Sequence, residues 1–100
     1  METTYTFRNI DATEALKDHS EKKLAKISKL LIKPTSAHVI FGTDAHQHKV
    51  EVTILANGIR YVGSDVTVDM YQSIDGAMDK IERQLKKYKE QAKDHHHKEA

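Results

Sequence analysis

The stretch KVEVTILANGIRYVGS, residues 49–64, carries the pattern from which the fold follows. Its first seven residues alternate, with Val50, Val52 and Ile54 on one face, which is the pattern of a strand with one buried side. Asn57-Gly58 follows, and this dipeptide is the strongest short signal of a two-residue hairpin turn. Residues 59–64 then return as a second strand. The stretch therefore predicts an antiparallel hairpin with a single apolar face.

The sequence before this hairpin predicts a strand, a helix and another strand. Residues 4–8 alternate and are rich in strand formers. Asp11 or Thr13 offers an N-cap for a helix with regularly spaced leucines and isoleucines. That helix must end before Pro34, because proline disfavours helical geometry at the residue before it. Residues 37–42 read as the next strand.

The sequence after the hairpin predicts a long amphipathic helix. Asp69 is a candidate N-cap, and Gln72 completes a pair similar to a capping box. The periodicity ends near residue 93, and residues 94–100 are predicted to be a disordered tail. The apolar stripe of this helix consists of Ile74, Ala77, Met78, Ile81, Leu85, Tyr88 and Ala92.

The predicted order is β-α-β-β-β-α, which is an α+β fold. Each helix has one apolar stripe and the sheet has one apolar face, so we expect both helices to pack on one face of a four-stranded sheet. A polar loop at residues 44–48 joins the second and third strands. Residues 1–93 are predicted to form one domain.

Charge is concentrated in two segments. Residues 17–33 and 80–93 hold 12 of the 16 Lys and Arg residues and only four acids, a net charge of +8, whereas the rest of the chain carries −7. A near-neutral chain with two basic segments predicts a molecule with one cationic side. Such a side suits a polyanion, since each phosphate that a cation neutralises releases counterions.

The helical repeat of about 100° per residue groups these cations on two flanks. We expect two antiparallel or crossing helices, which would set the two flanks side by side or along a shared groove as one basic patch. Folded RNA fits such a patch better than DNA, because it is held mainly through shape and phosphates. The alternative is that the charges serve solubility only. The cations concerned are Lys22, Lys23, Lys26 and Lys29 in the first helix, and Lys80, Arg83 and Lys87 in the second.

The sequence contains no recognisable motif of an enzyme active site. The absence of cysteine excludes thiolate nucleophiles and disulfides. No phosphate-binding glycine loop, nucleophile elbow or metal-ligand spacing occurs, so we expect no catalytic residue, cofactor, metal or small-molecule substrate. Asp75 and Asp79 could pair as carboxylates, but we expect both on a solvent-facing flank. His95-His96-His97 resembles a metal tract, yet it falls in the predicted tail, and His46 and His48 read as part of a polar loop.

The chain also lacks targeting signals. No apolar run approaches the length of about 18 residues that spans a membrane. The N-terminus has neither the basic nor the apolar region of a secretory signal. We therefore expect a cytoplasmic protein with no membrane partner.

Asp69-Met70-Tyr71 is the most distinctive short string. It reads first as a helix start, with Asp69 as the cap and the next two residues leaning into the core. Tyr71 could instead keep its hydroxyl at the surface for a contact with RNA, because tyrosine tolerates a partly buried position in which the hydroxyl stays hydrated.

The chain resembles the ribosome hibernation promoting factors, a group that includes the ribosome-associated inhibitor protein and was once labelled sigma-54 modulation protein. The resemblance covers about residues 4–93. It rests on the following strings: Thr13-Glu14-Ala15-Leu16, Lys23-Leu24-Ala25-Lys26, Asp69-Met70-Tyr71, Ile74-Asp75, and Asp79-Lys80-Ile81-Glu82-Arg83-Gln84-Leu85.

The resemblance implies a fold similar to a double-stranded-RNA-binding domain. It also implies binding to the small ribosomal subunit and its rRNA, near the decoding A and P sites, with translation blocked by occupancy in stationary phase or stress. Some family members promote pairing of two ribosomes. The RNA-binding residues that it implies by position are Lys23, Lys26, Lys80, Arg83, Lys87 and Lys89, to which this sequence adds Lys22, Lys29 and Lys86.

The chain resembles the short form of the family, without a second dimerising domain, and is expected to be a monomer off the ribosome. Two alternatives stay open at this point. One is a general double-stranded-RNA-binding module with no preference for the ribosome. The other is a protein–protein adaptor that uses the outer face of the sheet.

Overall fold

The computed structural model describes the backbone of residues 1–99 and the side chains of residues 1–87. Its order is β-α-β-β-β-α, as predicted. No helix in the described part is long and apolar enough to cross a membrane. The elements are β1 (Glu2–Arg8), α1 (Glu14–Ser28), β2 (Pro34–Asp44), β3 (Gln47–Ala56), β4 (Ile59–Thr67) and α2 (Met70–Glu99).

The four strands form one mixed sheet in the order β1-β2-β3-β4. β1 pairs with β2 in parallel, and the other two pairs are antiparallel. The β3–β4 turn is the predicted one, because Asn57 and Gly58 both have positive φ, at 53° and 74°. Positive φ at both central residues is what a type I′ hairpin requires and what this dipeptide supplies.

Several element boundaries differ from the prediction. β2 and β3 are longer, and the predicted loop at 44–48 shrinks to a turn after Asp44, in which Ala45 takes a φ of 54°. β4 extends to Thr67. Helix α1 ends at Ser28, although the apolar spacing continues to Leu31. Leu30 and Leu31 pack against the core from the segment after the helix. The segment that follows α1 therefore still contributes apolar side chains to the core.

Both helices cover the same face of the sheet, as predicted. Val39, Phe41, Val50, Val52 and Ile54 alternate along the strands and are fully buried. The buried helix residues pack against them in one cluster: Leu16, Leu24 and Ile27 from α1, and Met70, Ile74, Ala77, Met78, Ile81 and Leu85 from α2. The last two residues of the predicted α2 stripe, Tyr88 and Ala92, and the tail predicted at 94–100 lie outside the described side chains.

The two helices run in the same direction. β1 and β4 run in the same direction. β1 is parallel to β2, and the two antiparallel pairs, β2–β3 and β3–β4, reverse the strand direction twice. Each helix follows one of these strands and returns across the sheet. Helix α2 lies over β3 and β4, and α1 lies towards β1, where Leu24 and Ala25 face Thr3.

A buried hydroxyl lies between β1 and α1. Burial, and to a lesser extent the nearby carboxylates of Glu21 and Asp18, raise the pKa of Tyr5 to about 12. Its ring also stacks on Phe41, with the two ring centroids 6.2 Å apart. The hydroxyl therefore stays protonated throughout the neutral pH range.

The start of α2 is held by a network of short polar contacts. Asp69 acts as the N-cap, as predicted, since its Oδ1 accepts the backbone N–H of Tyr71 at 3.1 Å. The capping-box pairing with Gln72 is wrong, because the backbone N–H of Asp69 donates to Thr67 Oγ1 instead. Ser73, fully buried, donates from Oγ to the backbone oxygen of His48 at 2.6 Å. This bond ties the first turn of α2 to the start of β3.

Gly63 sets how closely α2 approaches β4. A Cβ at this position would overlap the backbone oxygen of Ala77 and crowd the side chains of Ile81 and Lys80. Only a residue without a side chain allows this separation, and the close approach buries Ile81 completely. Gly42, on β2, is the contrasting case, because a Cβ there would meet its nearest atom, the backbone oxygen of Arg8, at 3.9 Å.

Replacing Gly63 with alanine is expected to lower the free energy of unfolding by about 1–3 kcal/mol, because α2 must move to accommodate the new methyl group. Gly42→Ala serves as the control. It should change stability by less than about 1 kcal/mol, since the site has room and alanine restricts the unfolded chain. Urea unfolding followed by circular dichroism measures both, and equal destabilisation of the two variants would contradict the close approach at Gly63.

Candidate nucleic-acid interface

Helix α1 presents lysines to solvent. Its N-terminus is fixed at Thr13, whose Oγ1 accepts the backbone N–H of Leu16 at 3.2 Å. Leu16, Leu24 and Ile27 then lie buried against the sheet, which leaves the remaining sides of the helix in water. The predicted RNA-binding residues there are exposed at Lys22, Lys26 and Lys29 and half-buried at Lys23.

Helix α2 presents four further cations. Ile74 and Ile81 anchor one side of the helix in the core, and Arg83 lies on the opposite side by the helical repeat. The predicted residue Lys89 lies outside the described side chains. The cations that the structure describes, all of them exposed, are Lys80, Arg83, Lys86 and Lys87.

One flank of α2 overhangs the free edge of β4. Lys80 Nζ donates to the backbone oxygen of Ser64 at 2.5 Å, and Gln84 Nε2 donates to the backbone oxygen of Val62 at 2.7 Å. β4 is an edge strand, so these carbonyls have no neighbouring strand to bind. Lys80 therefore lies on the flank of α2 that points away from α1.

The other flank of α2 faces α1 and is acidic. Asp75 Oδ1 lies 2.7 Å from His19 Nε2 and 3.6 Å from Lys23 Nζ. The ring of Tyr71 meets the His19 ring edge-on, with centroids 5.1 Å apart. Asp75 keeps 42% of its side-chain surface exposed, and ion pairs this accessible contribute at most about 1 kcal/mol. The cluster therefore matters more for the distribution of charge than for stability.

The prediction that antiparallel or crossing helices set the two basic flanks side by side or along a shared groove is wrong. Because the helices share a direction and α2 lies over the far half of the sheet, α2 turns its acidic flank to α1. Asp75 keeps part of its surface exposed, as expected of a residue on a solvent-facing flank, and it pairs with His19 and Lys23 of α1. The helical repeat sorts residues into flanks, but only the strand order decides which flank meets the neighbouring helix.

The cations on the helical side instead form two bands. The α1 band consists of Lys22, Lys26 and Lys29. The α2 band consists of Lys80, Arg83 and Lys87. Between them runs an acidic strip of Asp75, Asp79 and Glu82, in which Glu82 Oε1 pairs with Lys86 Nζ at 3.3 Å. On the helical face, the two basic bands are therefore separated by an acidic strip.

In the Asp69-Met70-Tyr71 string, the first two residues have the predicted structural role at the start of the helix, and the third lies at the surface. Asp69 is a helix cap and Met70 is buried, as a structural role requires. Tyr71 does not enter the core, since 41% of its surface is exposed. Its ring meets the His19 ring edge-on, and a contact of Tyr71 with RNA stays a prediction.

The histidines do not combine into a metal site in the described part of the chain, where no group of three or more potential ligands occurs. His46 is exposed in the β2–β3 turn. His48 is partly buried, and its Nδ1 finds no hydrogen-bond partner among the described residues. The tract at His95–His97 lies outside the described side chains.

His19 is the functional-site residue that sequence reasoning missed. It lies three positions after the buried Leu16, at the boundary between the apolar stripe and the lysines, and nothing in that spacing singles it out. Its partner Asp75 lies 56 positions further along the chain. A contact this distant in sequence needs the packing of two helices to bring it about.

Comparison with known proteins gives one family. The family described as sigma 54 modulation protein / S30EA ribosomal protein matches residues 3–93. A ribosome hibernation promoting factor of Pseudomonas putida is 36% identical over 90 residues, which are 90% of this chain and 88% of that protein. The protein of the same name from Escherichia coli strain K12 is 33% identical over 95 residues, which are 95% of this chain and all of that protein.

Two solved structures share the fold. A ribosomal subunit interface protein from Coxiella burnetii superimposes with a TM-score of 0.78 at 29% identity, covering 89% of this chain and 98% of that one. The N-terminal domain of Protein Y from Thermus thermophilus also has a TM-score of 0.78, at 26% identity, covering 88% of this chain and 99% of that one.

The acidic strip is expected to weaken binding to any polyanion that crosses both bands. Replacing Asp79 with Asn and Glu82 with Gln together should join the bands and free Lys86, so that the variant elutes from a heparin column at higher salt than the unmodified protein. The matched control is Glu2→Gln with Glu14→Gln, two exposed acids outside the strip. Because both variants change net charge equally, identical elution would show that the position of the strip is irrelevant.

Proposed function

Because the chain belongs to the sigma 54 modulation protein / S30EA ribosomal protein family, we propose that it is a ribosome hibernation factor. It binds the small ribosomal subunit through 16S rRNA near the decoding A and P sites. By filling the path of messenger and transfer RNA, it blocks translation in stationary phase or stress.

The observation that carries this proposal is the exposure of the two cationic bands on a domain of this family. The α1 band and the α2 band offer six lysine or arginine side chains to solvent. Such cations neutralise backbone phosphates without reading base sequence. A surface of this kind suits folded ribosomal RNA, which proteins recognise largely by shape and phosphate position.

The acidic strip refines the expected fit. Packed helices lie about 8–10 Å apart, and the strip keeps phosphates from settling between the bands. Each band is therefore expected to follow a separate stretch of RNA backbone, with the strip facing the space between them. An RNA surface with two neighbouring backbones meets this requirement, whereas a single strand laid across the helices does not.

The mechanism is steric and breaks no bond. The described side chains bring together no nucleophile, base and oxyanion donor of the kind that acyl or phosphoryl transfer needs. The protein acts as a non-enzymatic regulator in the cytoplasm, needs no cofactor or small-molecule substrate, and reaches the ribosome as a monomer. Occupancy of the channel alone prevents the entry of messenger and transfer RNA.

Two double charge reversals test the proposal. Lys22→Glu with Lys26→Glu alters the α1 band, and Arg83→Glu with Lys87→Glu alters the α2 band. Lys80 is kept, because its Nζ caps the Ser64 carbonyl. Each variant should bind small subunits at least about tenfold more weakly, and the slope of log affinity against log salt should fall by roughly 0.9 for each phosphate that the variant no longer neutralises. Sucrose-gradient cosedimentation at two salt concentrations measures both effects.

The matched control is Lys33→Glu with Arg60→Glu, which makes the same change in net charge at exposed positions outside both bands. It should bind and inhibit cell-free translation like the unmodified protein. If the band variants still cosediment as tightly as this control, the cationic bands do not hold the ribosome. Equal affinity of the unmodified protein for an arbitrary RNA duplex would favour a general RNA-binding module.

A further inference from the structure

The face of the sheet that the helices leave open carries a row of residues in register. Arg8 on β1 pairs with Gly42 on β2, and Gly42 pairs with Lys49 on β3. Their chain neighbours Phe41 and Val50 are fully buried on the other face. Because side chains alternate along a strand, Arg8 and Lys49 both stand on the open face, with no side chain between them.

Because Gly42 has no side chain, a depression of about 160 Å³ lies between Arg8 and Lys49, and we call it the Arg8–Lys49 site. Its lining is completed by Ile40 and Glu51. Adjacent strands lie about 4.8 Å apart, so the backbones of Arg8 and Lys49 are roughly 10 Å from each other. Two long cationic side chains at this spacing can both reach a group seated over Gly42.

The two cations are available for a ligand. Arg8 and Lys49 are exposed, and neither is in any ion pair found within the described side chains. They are also two of only four basic residues outside the segments 17–33 and 80–93, in a remainder of the chain that carries a net charge of −7. Their placement side by side in an otherwise acidic part of the sequence gives this end of the open face a local positive field.

Glu51 narrows the kind of anion that fits. It lies two positions after Lys49 on the same face, about 7 Å further along the strand. A carboxylate there repels a second phosphate, but it accepts a hydrogen bond from a hydroxyl. A phosphate beside a hydroxyl is the arrangement of the ribonucleotide backbone, and the 2′-hydroxyl is the group by which proteins distinguish RNA from DNA.

We propose that the Arg8–Lys49 site binds one ribose-phosphate unit of an RNA backbone, with Arg8 and Lys49 on the phosphate and Glu51 on the 2′-hydroxyl. This inference rests on the proposed function and extends it. The site lies on the face of the sheet opposite the helical bands, so the domain contacts RNA on two sides. A domain that contacts RNA through both faces binds more tightly in a ribosomal channel than a domain that contacts RNA through one face.

The first experiment tests the site without the ribosome. The dinucleotide UpU is titrated into ¹⁵N-labelled full-length protein and compared with its deoxy counterpart dUpdU. UpU should shift the amide signals of Gly42 and its strand neighbours, and dUpdU should bind roughly tenfold more weakly, because the hydroxyl–carboxylate hydrogen bond is absent. Equal binding of the two dinucleotides, or shifts elsewhere with none at Gly42, overturns the assignment.

Gly42→Val separates shape from charge. It keeps both cations and fills the gap between them. The strand tolerates the change, because the φ of Gly42 is not positive and an added Cβ makes only ordinary contacts. The variant should lose the UpU-induced shifts at unchanged net charge. Unaltered UpU binding would show that the depression is not the seat of the phosphate.

The second experiment places the site on the ribosome. Arg8→Glu with Lys49→Glu should lower affinity for small subunits, and the salt slope should fall by roughly 0.7–0.9, as expected when one phosphate is no longer neutralised. The control is Lys33→Glu with Arg60→Glu, at the other end of the sheet, which should bind normally. If both variants bind equally well, the RNA contact is refuted. If the unmodified protein binds no small subunits, the proposed function fails. The dinucleotide titration still shows whether the Arg8–Lys49 site binds a ribose-phosphate unit.

Discussion

The sheet has a single apolar face that two helices must share, and the arrangement of charge on the molecule depends on this constraint. The buried side chains of β2, β3 and β4 lie on this face together with the partly buried Tyr5 and Phe7 of β1, and burial of apolar surface is the dominant favourable term in folding. With both helices on one side and the strands in the order β1-β2-β3-β4, α1 and α2 run in the same direction. The depth at which α2 settles depends on Gly63, where no side chain separates the helix from β4.

This packing sorts the charged residues of α2. The flank with Lys80 overhangs β4 and covers carbonyls of the edge strand, which also protects that edge from pairing with another chain. The flank with Asp75 turns to α1 and meets His19 and Lys23. Each contact is weak by itself, yet together they divide the helical face into two cationic bands with an acidic strip between them. The pattern of charge is a consequence of the core.

The open face of the sheet shows the same dependence of surface chemistry on strand register. Register sets Arg8, Gly42 and Lys49 in one row, although Gly42 and Lys49 lie 34 and 41 positions after Arg8 in the chain. A shift of one residue in either pairing would move every side chain of that strand to the other face. Together with the helical bands, this row gives the domain cationic groups on both of its faces.

The amino-acid sequence alone was enough to establish the element order, the hairpin turn at Asn57-Gly58 and the helix cap at Asp69, because these depend on periodicity and on contacts within a few residues. For α1 it left Asp11 and Thr13 open as caps, and the structure selects Thr13. It also established the family, through strings such as Asp69-Met70-Tyr71. The packing of the folded chain was needed to show that the basic flanks do not meet, that His19 pairs with Asp75, and that two cations flank Gly42. These features join residues distant in the chain, and local patterns carry no information on which flank or strand becomes the neighbour.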